Sequence, residues 1–303
     1  MRIVFMGTPD FAVPSLQALA QAHEVTLAVT RPDAVRGRGR RLMPSPVKEA
    51  AQELGIPVLE TKRVSPEVLE AVRDQAPDLI AVAAFGAILP DDLLALAPLG
   101  CVNVHGSLLP RWRGAAPIQR AILAGDERIG ISIMRIVHDL DAGSYCRQAW
   151  VERGQKGAPQ IMADLARLGA DELVRALADM EAGTAVWQDQ DPSQVTYAEK
   201  VDKAEMRLNP AASARDNCRR VQASLDEAPA RLSVGGRGIR ALAARVSGEP
   251  LDQGAVLVRK GHVFLGCSEG SLELLTVKPD GKRQMEASAW ASGLRGVTSW
   301  EAV

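Results

Sequence analysis

The amino-acid sequence predicts an α/β fold in which a doubly wound, mostly parallel sheet is followed by a smaller β-barrel. In the first half of the chain, short apolar runs alternate with segments of helical period, which indicates strands joined by right-handed helical crossovers. Residues 78–84 contain a continuous apolar run of the kind expected for a parallel strand covered on both faces. Beyond residue 207 the apolar runs are short and split by glycines, which favours a barrel.

The first predicted elements are a strand at residues 2–6, a tight turn at 7–10 and a helix that ends near Ala22. This order resembles the start of a nucleotide-binding unit. The turn sequence GTPDFA, however, lacks the GxGxxG glycines that let a pyrophosphate approach the backbone, so no dinucleotide is expected.

The same reasoning predicts the remaining elements in order. Further strands are predicted at residues 24–30, 58–60, 78–84 and 131–137, a helix begins near Pro46, and another spans 158–182 with Pro159 in its first turn. Barrel strands are predicted at 239–246, 255–258, 262–265 and 272–277. The predicted domains are 1–188 and 208–303, joined by a polar linker at 189–207 that lies over the first domain.

Length and charge limit the classes of function. A chain of 303 residues with 47% apolar residues can form two domains. The formal net charge is only -1, so any contact with RNA must come from local basic patches. Residues 208–303 carry 13 Lys/Arg and 10 Asp/Glu, a mild excess that an ordinary solvated surface could also have.

Cysteine and histidine usage predicts a cytoplasmic protein without a metal site. The four cysteines are widely separated and form no CxxC or Cys/His cluster, which fits reduced thiols. Residues 1–6 are too short for a signal peptide, and no apolar run of about 18 residues predicts a membrane span. No histidine pair has the i, i+4 spacing of a helical zinc site, and His138 with Asp139 and Asp141 is the weaker alternative for a metal.

The stretch NVHGSLLPRWRGAAP, residues 103–117, places polar groups where an apolar run at 99–102 ends. Asn103 and His105 are two residues apart, so on an extended backbone their side chains leave from the same face. Gly106 can take a positive φ angle, and Pro110 stops the chain from continuing as a strand. A lone histidine at such a place is more often a packed, hydrogen-bonded residue than a catalyst, but polar groups at a strand end also mark the usual site in an open α/β sheet.

A second polar turn supports the catalytic interpretation. The sequence HDLDAG, residues 138–143, follows the apolar run at 131–137 and brings Asp141 to a glycine-bearing turn. The amide of Asn103, the imidazole of His105 and a carboxylate could serve as oxyanion donor, proton carrier and orienting base.

Two further stretches have alternative interpretations. Residues 83–90, AAFGAILP, combine small residues with a flexible glycine, which leaves room for a flat ligand but equally allows close helix packing. Residues 31–41 hold five arginines in eleven positions. This run is either a solvated surface loop or, because it leaves a strand at the same edge as Asn103, a loop that can grip phosphates.

These residues carry a resemblance to a known family. MRIVFMGTPDFAVPSL, GRGRRLMPSPVK, AAFGAILP, NVHGSLLPRWRGAAPIQ, LDAG and VTYAEK resemble the formyltransferases that use 10-formyltetrahydrofolate, most extensively those that act on methionyl-tRNA. The resemblance is close over about the first two thirds of the chain and loose thereafter. It implies a Rossmann-like catalytic domain and an OB-like barrel that helps to hold the tRNA.

The resemblance also implies the function and its residues. It predicts transfer of the formyl group of 10-formyltetrahydrofolate to the α-amino group of methionyl-tRNA by a monomeric enzyme that needs no metal. The implied catalytic residues are Asn103, His105 and Asp141. The implied folate contacts are Phe85, Gly86, Ile88, Leu89, Ser107, Leu108, Leu109 and Pro110, and the implied contacts with the tRNA acceptor arm are Arg36, Arg38, Arg40 and Arg41.

Two departures from the family pattern and two alternative functions remain open. Residues 223–229 read ASLDEAP where relatives usually carry an NPWP-like cluster, and Ser144 stands where an aspartate commonly follows the LDxG motif. A formyltransferase acting on a small amine, as in purine synthesis, would share the three catalytic residues without needing the arginine loop or the barrel. A non-catalytic RNA-binding protein would need the basic loop but not the three polar residues together.

Overall fold

The computed structural model describes residues 1–36 and 41–303. These residues form two compact units. The first unit consists of Met1–Gly114, Gly130–Val151 and Met162–Tyr197, and the second consists of Ala115–Ile129, Glu152–Ile161 and Ala198–Val303.

The secondary structure follows in chain order. The strands are β1 (Arg2–Gly7), β2 (Glu24–Thr30), β3 (Ala34–Arg36), β4 (Arg41–Met43), β5 (Val58–Glu60), β6 (Leu79–Ala83), β7 (Cys101–His105), β8 (Arg113–Gly114), β9 (Arg128–Arg135), β10 (Tyr145–Glu152), β11 (Tyr197–Ala198), β12 (Arg231–Val234), β13 (Arg237–Ser247), β14 (Val256–Arg259), β15 (His262–Gly266), β16 (Ser271–Pro279), β17 (Met285–Glu286) and β18 (Trp300–Glu301). The α-helices are α1 (Val13–Ala22), α2 (Pro46–Glu53), α3 (Pro66–Arg73), α4 (Asp91–Leu94), α5 (Pro117–Ala124), α6 (Ala158–Glu181), α7 (Ala214–Gln222) and α8 (Ala287–Ala291).

The first unit is built on a sheet with the strand order β10-β9-β7-β6-β1-β2-β5. Strands β5, β2, β1, β6 and β7 are parallel, whereas β9 is antiparallel to β7. Since β1 connects to β2 on one side and lies beside β6 on the other, the strand order reverses between β1 and β6. Ligands bind in sheets of this type at the carboxyl ends of the strands next to such a reversal. The predicted doubly wound, mostly parallel sheet is therefore confirmed.

The turn after β1 packs tightly against the end of β6. A Cβ atom at Gly7 would lie 2.8 Å from the Ala12 Cβ and 2.9 Å from the Ala83 carbonyl oxygen. Glycine is therefore needed here for close packing between the strand ends, and no pyrophosphate-binding glycines surround it.

Helix α2 begins at the edge where β2 ends. The Ser45 hydroxyl accepts a hydrogen bond from the Lys48 N–H at 3.0 Å, and Pro46 occupies the first turn, where its missing N–H has no cost. The same hydroxyl lies 2.7 Å from the buried Thr30 hydroxyl. The cap therefore also ties the helix start to the carboxyl end of β2.

The second unit contains an antiparallel sheet with the order β14-β15-β16-β13-β12-β18, and β17 pairs with β16. The segments beside its outer strands meet, because the Val256 N–H donates to the Thr298 carbonyl and the Trp300 N–H donates to the Gly254 carbonyl, each at 2.9 Å. The sheet is thus a nearly closed barrel, as predicted. Its core is filled by aliphatic and aromatic residues that include Leu232, Ile239, Leu265, Leu272, Trp290 and Trp300.

Several predicted boundaries needed correction, whereas the predicted strand at 24–30 agrees with β2. The strand predicted to end at residue 102 is Cys101–His105, so Asn103 and His105 lie within β7 rather than after it. Strand β9 begins at Arg128 and ends at Arg135, earlier than the predicted 131–137. The domain boundaries at 188 and 207 remain predictions. Among the described residues, no helix combines the length and apolar character that a membrane span requires.

Candidate active site

Strand β7 carries the first two predicted catalytic residues. It lies between the parallel strand β6 and the antiparallel strand β9, with Asn103 opposite Val82 on one side and opposite Met134 on the other. Asn103 is half-buried and His105 is 5% exposed. Because alternate residues of a strand share a face, the amide and the imidazole project from the same side of the sheet.

The ring of His105 lies between two acceptors. Its Nε2 atom is 3.0 Å from the carbonyl oxygen of Trp112, and its Nδ1 atom is 3.6 Å from Oδ2 of Asp141. A carbonyl oxygen can only accept, so Nε2 carries a proton and Nδ1 is the nitrogen that faces the carboxylate. Nδ1 is therefore the ring atom that can exchange a proton beside a negative charge.

Asp141 is held in place by main-chain groups. Its φ angle is 47°, in the left-handed region that few residues other than glycine, asparagine and aspartate adopt. Its Oδ2 atom accepts a hydrogen bond from the Gly114 N–H at 2.8 Å. In the same turn, a Cβ atom at Gly143 would collide with the Arg135 carbonyl oxygen, so only glycine fits there.

Asp141 does not come close to His105 because two neighbouring strands end side by side, as the polar residues after the two apolar runs suggested. Because β9 runs antiparallel to β7, its last residue, Arg135, lies opposite Val102, while Ser132 lies opposite His105. The end of β9 is therefore beside the start of β7, and the connection at residues 136–144 covers the remaining distance to the imidazole.

Sequence reasoning missed Gln190, which belongs to the predicted linker. This buried side chain donates from Nε2 to the carbonyl oxygens of Asp141 at 2.8 Å and Gly143 at 2.7 Å. Its Oε1 atom accepts from Nε of Arg113 at 2.9 Å. Polar residues are ordinary in a linker, so the sequence contains no local signal that separates Gln190 from its neighbours.

The predicted folate segment at 85–89 lies at the carboxyl end of β6, beside the strand-order reversal. Phe85 is buried, Gly86 has a φ angle of 81°, Leu89 is half-buried, and Ile88 is 91% exposed. The Thr8 hydroxyl donates to the Phe85 carbonyl at 3.0 Å. Nη1 of Arg31 donates to the Gly86 carbonyl at 2.8 Å, a contact that the sequence did not predict. These contacts fix the main chain of the segment from residues that follow β1 and β2.

The predicted folate segment at 107–110 is held from inside the protein. The Ser132 hydroxyl donates to the Ser107 carbonyl at 2.7 Å and accepts from the Leu109 N–H at 3.1 Å. The Ser107 hydroxyl donates to the Arg111 carbonyl at 2.6 Å, and the Leu109–Pro110 peptide bond is cis. The Ser107 side chain is thus engaged in the loop itself.

Leu108, the remaining member of this segment, is half-buried and packs over β9. A Cβ atom at Gly130 would lie 2.5 Å from the Leu108 Cδ2 atom.

The predicted tRNA loop emerges from the carboxyl end of β2 as an antiparallel ribbon of β3 and β4, in which Arg36 lies opposite Arg41. Arg38 and Arg40 lie outside the described residues. Because β2 and β7 point the same way in the sheet, this ribbon starts at the edge that holds His105.

An ion cluster holds the start of the ribbon. Nζ of Lys48 lies 2.7 Å from Oδ1 of Asp33 and 2.9 Å from Oε2 of Glu60. The hydrogen bond from Lys48 lowers the pKa of Asp33, and the two carboxylates raise the pKa of the ammonium group.

Two other titratable groups near the site are Cys101 and His138. Burial raises the pKa of the Cys101 thiol to about 12, so this cysteine on β7 is protonated at neutral pH. His138 pairs with Asp91 at 3.1 Å, and this hydrogen bond raises its pKa. Within residues 1–36 and 41–303, no group of three or more His, Cys, Asp or Glu side chains is arranged to hold a metal ion. Independence from metal remains a prediction.

The stretch that departs from the family pattern lines a pocket in the second unit. The pocket has a volume of about 430 Å³ and is lined by Gly157, Pro159, Val221, Gln222, Ser224, Leu225, Asp226, Glu227, Arg240, Leu242 and Gln284. The Arg240 guanidinium group is paired with Asp226 at 2.7 Å, which lowers the pKa of that carboxyl group. The wall of this pocket therefore contains an ion pair in which Asp226 balances the charge of Arg240.

Sequence comparisons relate both parts of the chain to proteins of known activity. Residues 1–177 match the formyl transferase family, and residues 200–295 match the formyl transferase C-terminal domain. The methionyl-tRNA formyltransferase of Halorhodospira halophila is 44% identical over 299 residues, which cover 97% of this chain and 96% of that protein. That of Methylococcus capsulatus is 44% identical over 292 residues, 95% of each chain.

Solved structures share the fold at low sequence identity. The N-formyltransferase from Helicobacter canadensis, in complex with folinic acid and dTDP-3-aminofucose, has a TM-score of 0.69 at 13% identity, covering 93% of this chain and 99% of that one. HypX from Aquifex aeolicus with tetrahydrofolic acid has a TM-score of 0.66 at 17% identity, covering 98% of this chain and 48% of that one. Methionyl-tRNA formyltransferase from Clostridium thermocellum has a TM-score of 0.58 at 14% identity, covering 82% and 95%.

Proposed function

Since the chain belongs to the formyltransferase family, we propose that it transfers the formyl group of 10-formyltetrahydrofolate to the α-amino group of methionyl-tRNA. The product is N-formylmethionyl-tRNA, which serves translation initiation. The observation that carries the proposal is the convergence of Asn103, His105 and Asp141 at one edge of the sheet, with Asp141 Oδ2 3.6 Å from His105 Nδ1. A cytoplasmic location, a monomeric state and independence from metal belong to the same proposal.

The reaction sets simple chemical requirements. The amino nitrogen attacks the formyl carbon, a tetrahedral oxyanion forms, and the folate nitrogen leaves with a proton while the amine loses one. An α-amino group has a near-neutral pKa, so a sizeable neutral fraction exists at pH 7 without an activated protein nucleophile. The protein needs to hold two substrates together, stabilise the oxyanion and move protons.

Asn103 is suited to the oxyanion. Its side-chain amide donates hydrogen bonds without any change of charge, and it lies half-buried on β7, where the surrounding backbone is fixed by pairing on both sides. A donor that is already oriented stabilises developing charge more effectively than a mobile one.

His105 and Asp141 are suited to proton transfer. With Nε2 engaged by the Trp112 carbonyl, Nδ1 is left to take a proton from the attacking amine and to pass it toward the leaving nitrogen, directly or through a water. The carboxylate of Asp141 stabilises the positive charge that the ring then carries.

The substrate contacts extend the proposal to two neighbouring regions. We assign the folate to the segments 85–89 and 107–110, which flank β6 and β7 at their carboxyl ends. Because the Ser107 hydroxyl is bonded to Arg111, this segment would contact the folate mainly through its main chain and through Leu108. We assign the acceptor arm of the tRNA to the arginine-rich segment at residues 31–41, through Arg36, Arg38, Arg40 and Arg41.

The alternatives are less well supported. A small-amine formyltransferase would not need the second unit, whereas residues 200–295 match the C-terminal domain of formyl transferases. A non-catalytic RNA-binding protein would have no use for the three polar residues gathered around β7.

The decisive experiment is to incubate the purified protein with 10-formyltetrahydrofolate and methionyl-tRNA and to identify the amino acid released from the tRNA. N-formylmethionine is expected. Parallel reactions with unacylated tRNA and with small primary amines serve as controls. Formylation of the small amines but not of methionyl-tRNA would replace the proposal by the small-amine alternative, and no formyl transfer to any acceptor would refute both.

A further inference from the structure

We propose that Gln190, anchored by Arg113, is a positioning residue that holds the turn of Asp141 in its working conformation. The inference rests on the proposed function, because it assigns Gln190 a role in formyl transfer through Asp141. Gln190 lies outside every segment by which the sequence resembles the family.

The contacts of Gln190 concentrate on one turn. Its side-chain amide donates to two main-chain carbonyls, those of Asp141 at 2.8 Å and Gly143 at 2.7 Å. The residue is only 8% exposed, so water offers little competition for these bonds. One amide group thus fixes both ends of the peptide segment that includes the left-handed residue.

The orientation of this amide follows from its neighbours. Nε of Arg113 can only donate, so the atom of Gln190 that faces it at 2.9 Å must be the oxygen. The NH₂ group then faces the two carbonyls, which can only accept. The flipped amide would face its NH₂ group toward the Arg113 N–H and its oxygen toward the two carbonyl oxygens. Arg113 therefore selects the orientation in which the NH₂ group binds the turn.

The same short segment also fixes the carboxylate. Gly114, the residue after Arg113, donates its N–H to Oδ2 of Asp141 at 2.8 Å. The main chain of Asp141 is therefore held through Gln190 and Arg113, and its side chain is held through Gly114. Contacts from Gln190, Arg113 and Gly114 thus surround the turn, and Gln190 is the partner that binds its main-chain carbonyls.

Left-handed backbone in a non-glycine residue is disfavoured and persists where surrounding contacts determine it. Loss of the Gln190 bonds would let the turn relax and move the carboxylate away from His105 Nδ1. A shift of about 1 Å in a positioned group can cost on the order of 10²-fold in rate.

Two variants test the role of Gln190. Gln190→Glu keeps the size and the contact with Arg113 but presents a carboxylate to two carbonyl oxygens. Gln190→Asn keeps the amide but is one methylene too short to reach both partners, and it serves where the buried charge of Q190E prevents folding. Gln188→Glu is the matched control, because this glutamine is exposed and pairs with Tyr145 through its main chain.

We expect both Gln190 variants to lower kcat by about 10- to 100-fold, with KM for methionyl-tRNA and for the folate changed by less than about 3-fold. Gln188→Glu should leave both parameters unchanged. Combined with Asp141→Asn, Q190E should lower kcat by no more than about 3-fold further, because the two changes remove the same function.

Three outcomes would overturn the inference. The first is an unchanged kcat in a folded Gln190 variant. The second is a double variant whose loss of kcat equals the product of the losses in Q190E and Asp141→Asn. The third is failure of both Gln190 variants to fold while Gln188→Glu folds. The wild-type assay separates these outcomes from failure of the proposed function. If the wild type forms no N-formylmethionyl-tRNA, the proposed function is wrong, whereas an active wild type with unaffected variants refutes the role of Gln190 alone.

Discussion

At Asp141, one substitution can remove the charge of the side chain while keeping its shape and its main-chain conformation. Its carboxylate faces His105, while its left-handed main chain and the bond from Gly114 depend on geometry rather than on charge. Asparagine also tolerates the left-handed region and offers an oxygen to the Gly114 N–H. The substitution Asp141→Asn therefore removes the charge and leaves the turn.

We expect Asp141→Asn to lower kcat on the order of 10²-fold, because the imidazolium ring loses its counter-charge. The free energy of unfolding should stay within about 0.5 kcal/mol of the wild type. Single-turnover formylation and denaturant unfolding measure the two quantities. Near wild-type turnover in this variant would show that the carboxylate has no part in proton transfer.

For Asn103 we expect a loss of about 10² to 10³ in kcat when the amide is replaced by alanine, the usual effect of removing one oxyanion donor. Asn103→Asp should be no better, because it keeps the size but places negative charge beside the developing oxyanion. Turnover at saturating substrates is the measurement, with folate binding as the control for an intact pocket. An aspartate variant clearly faster than the alanine variant would contradict the oxyanion role.

The predicted catalytic residues stand out in the sequence through local signals, whereas the residues that support them do not. Asn103 and His105 follow from alternation along one strand, and Asp141 from a polar turn after another. Gln190 meets Asp141 across 49 positions and Arg113 across 77. Such pairings depend on how the chain folds back on itself, and no sequence period encodes them.

At the scale of elements, apolar runs predicted the strands well because burial on both faces leaves a direct mark on composition. The direction of β9 could not be predicted in this way. A strand that is buried on both faces gives a continuous apolar run whether it is parallel or antiparallel to its neighbour. Short strands such as β12, of four residues, and the helix α7 were missed because their periodicity is too brief to detect.

Three barrel strands contribute to one ion cluster that allows a test of stability. Glu273 on β16 accepts from Nε of Arg245 on β13 and from Nδ1 of His262 on β15, each at 2.6 Å. Burial by itself raises the pKa of Glu273, but these two hydrogen bonds outweigh it and lower the pKa below the ordinary value of 4.5. A lowered carboxyl pKa means that the contribution to stability is present above 4.5 and is lost as the pH falls through the native value.

We therefore expect Glu273→Gln to lower the free energy of unfolding by about 1–2 kcal/mol at pH 7, allowing for the exposure of Arg245. The difference from the wild type should shrink as the pH falls below 4.5. Urea unfolding at pH 7 and pH 3.5 is the measurement, with the exposed Glu269→Gln as the control. An equal difference at both pH values would show that charge is not the cause.

The ribbon of β3 and β4 is the element expected to contact the tRNA backbone. Arg38→Ala should weaken use of methionyl-tRNA far more than binding of the folate, and Arg38→Lys should also impair it because the planar fork is lost. Replacing Arg36, Arg38, Arg40 and Arg41 together by alanine should flatten the salt dependence of tRNA binding, since fewer counterions are released.

The measurements for the ribbon are kcat/KM for methionyl-tRNA and the slope of log Kd against log salt concentration. Arg167→Ala, which removes a mostly exposed arginine from α6, is the control. If the fourfold variant keeps the wild-type slope and the wild-type kcat/KM, the ribbon is an ordinary solvated surface.

For the whole molecule, the near-zero net charge of -1 means that attraction to RNA must be local. Four histidines spread along 303 residues fit proton transfer by one of them better than a shared metal.

We expect exhaustive chelation to leave formyl transfer unchanged. Because magnesium also shapes tRNA, the assay should include a small amine acceptor at high concentration beside methionyl-tRNA. Loss of activity toward both acceptors, restored by a divalent ion, would refute independence from metal. Loss toward methionyl-tRNA alone would indicate an effect on the nucleic acid.

The position of Gln190 bears on how freely the parts of such a protein can be exchanged. The match to the formyl transferase domain ends at residue 177, and Asn103, His105 and Asp141 all precede that point, but Gln190 follows it. A chimera joined at residue 177 would take the three proposed catalytic residues from one parent and Gln190 from the other. Recombination between relatives should therefore preserve activity only where Gln190 and the turn of Asp141 come from the same parent.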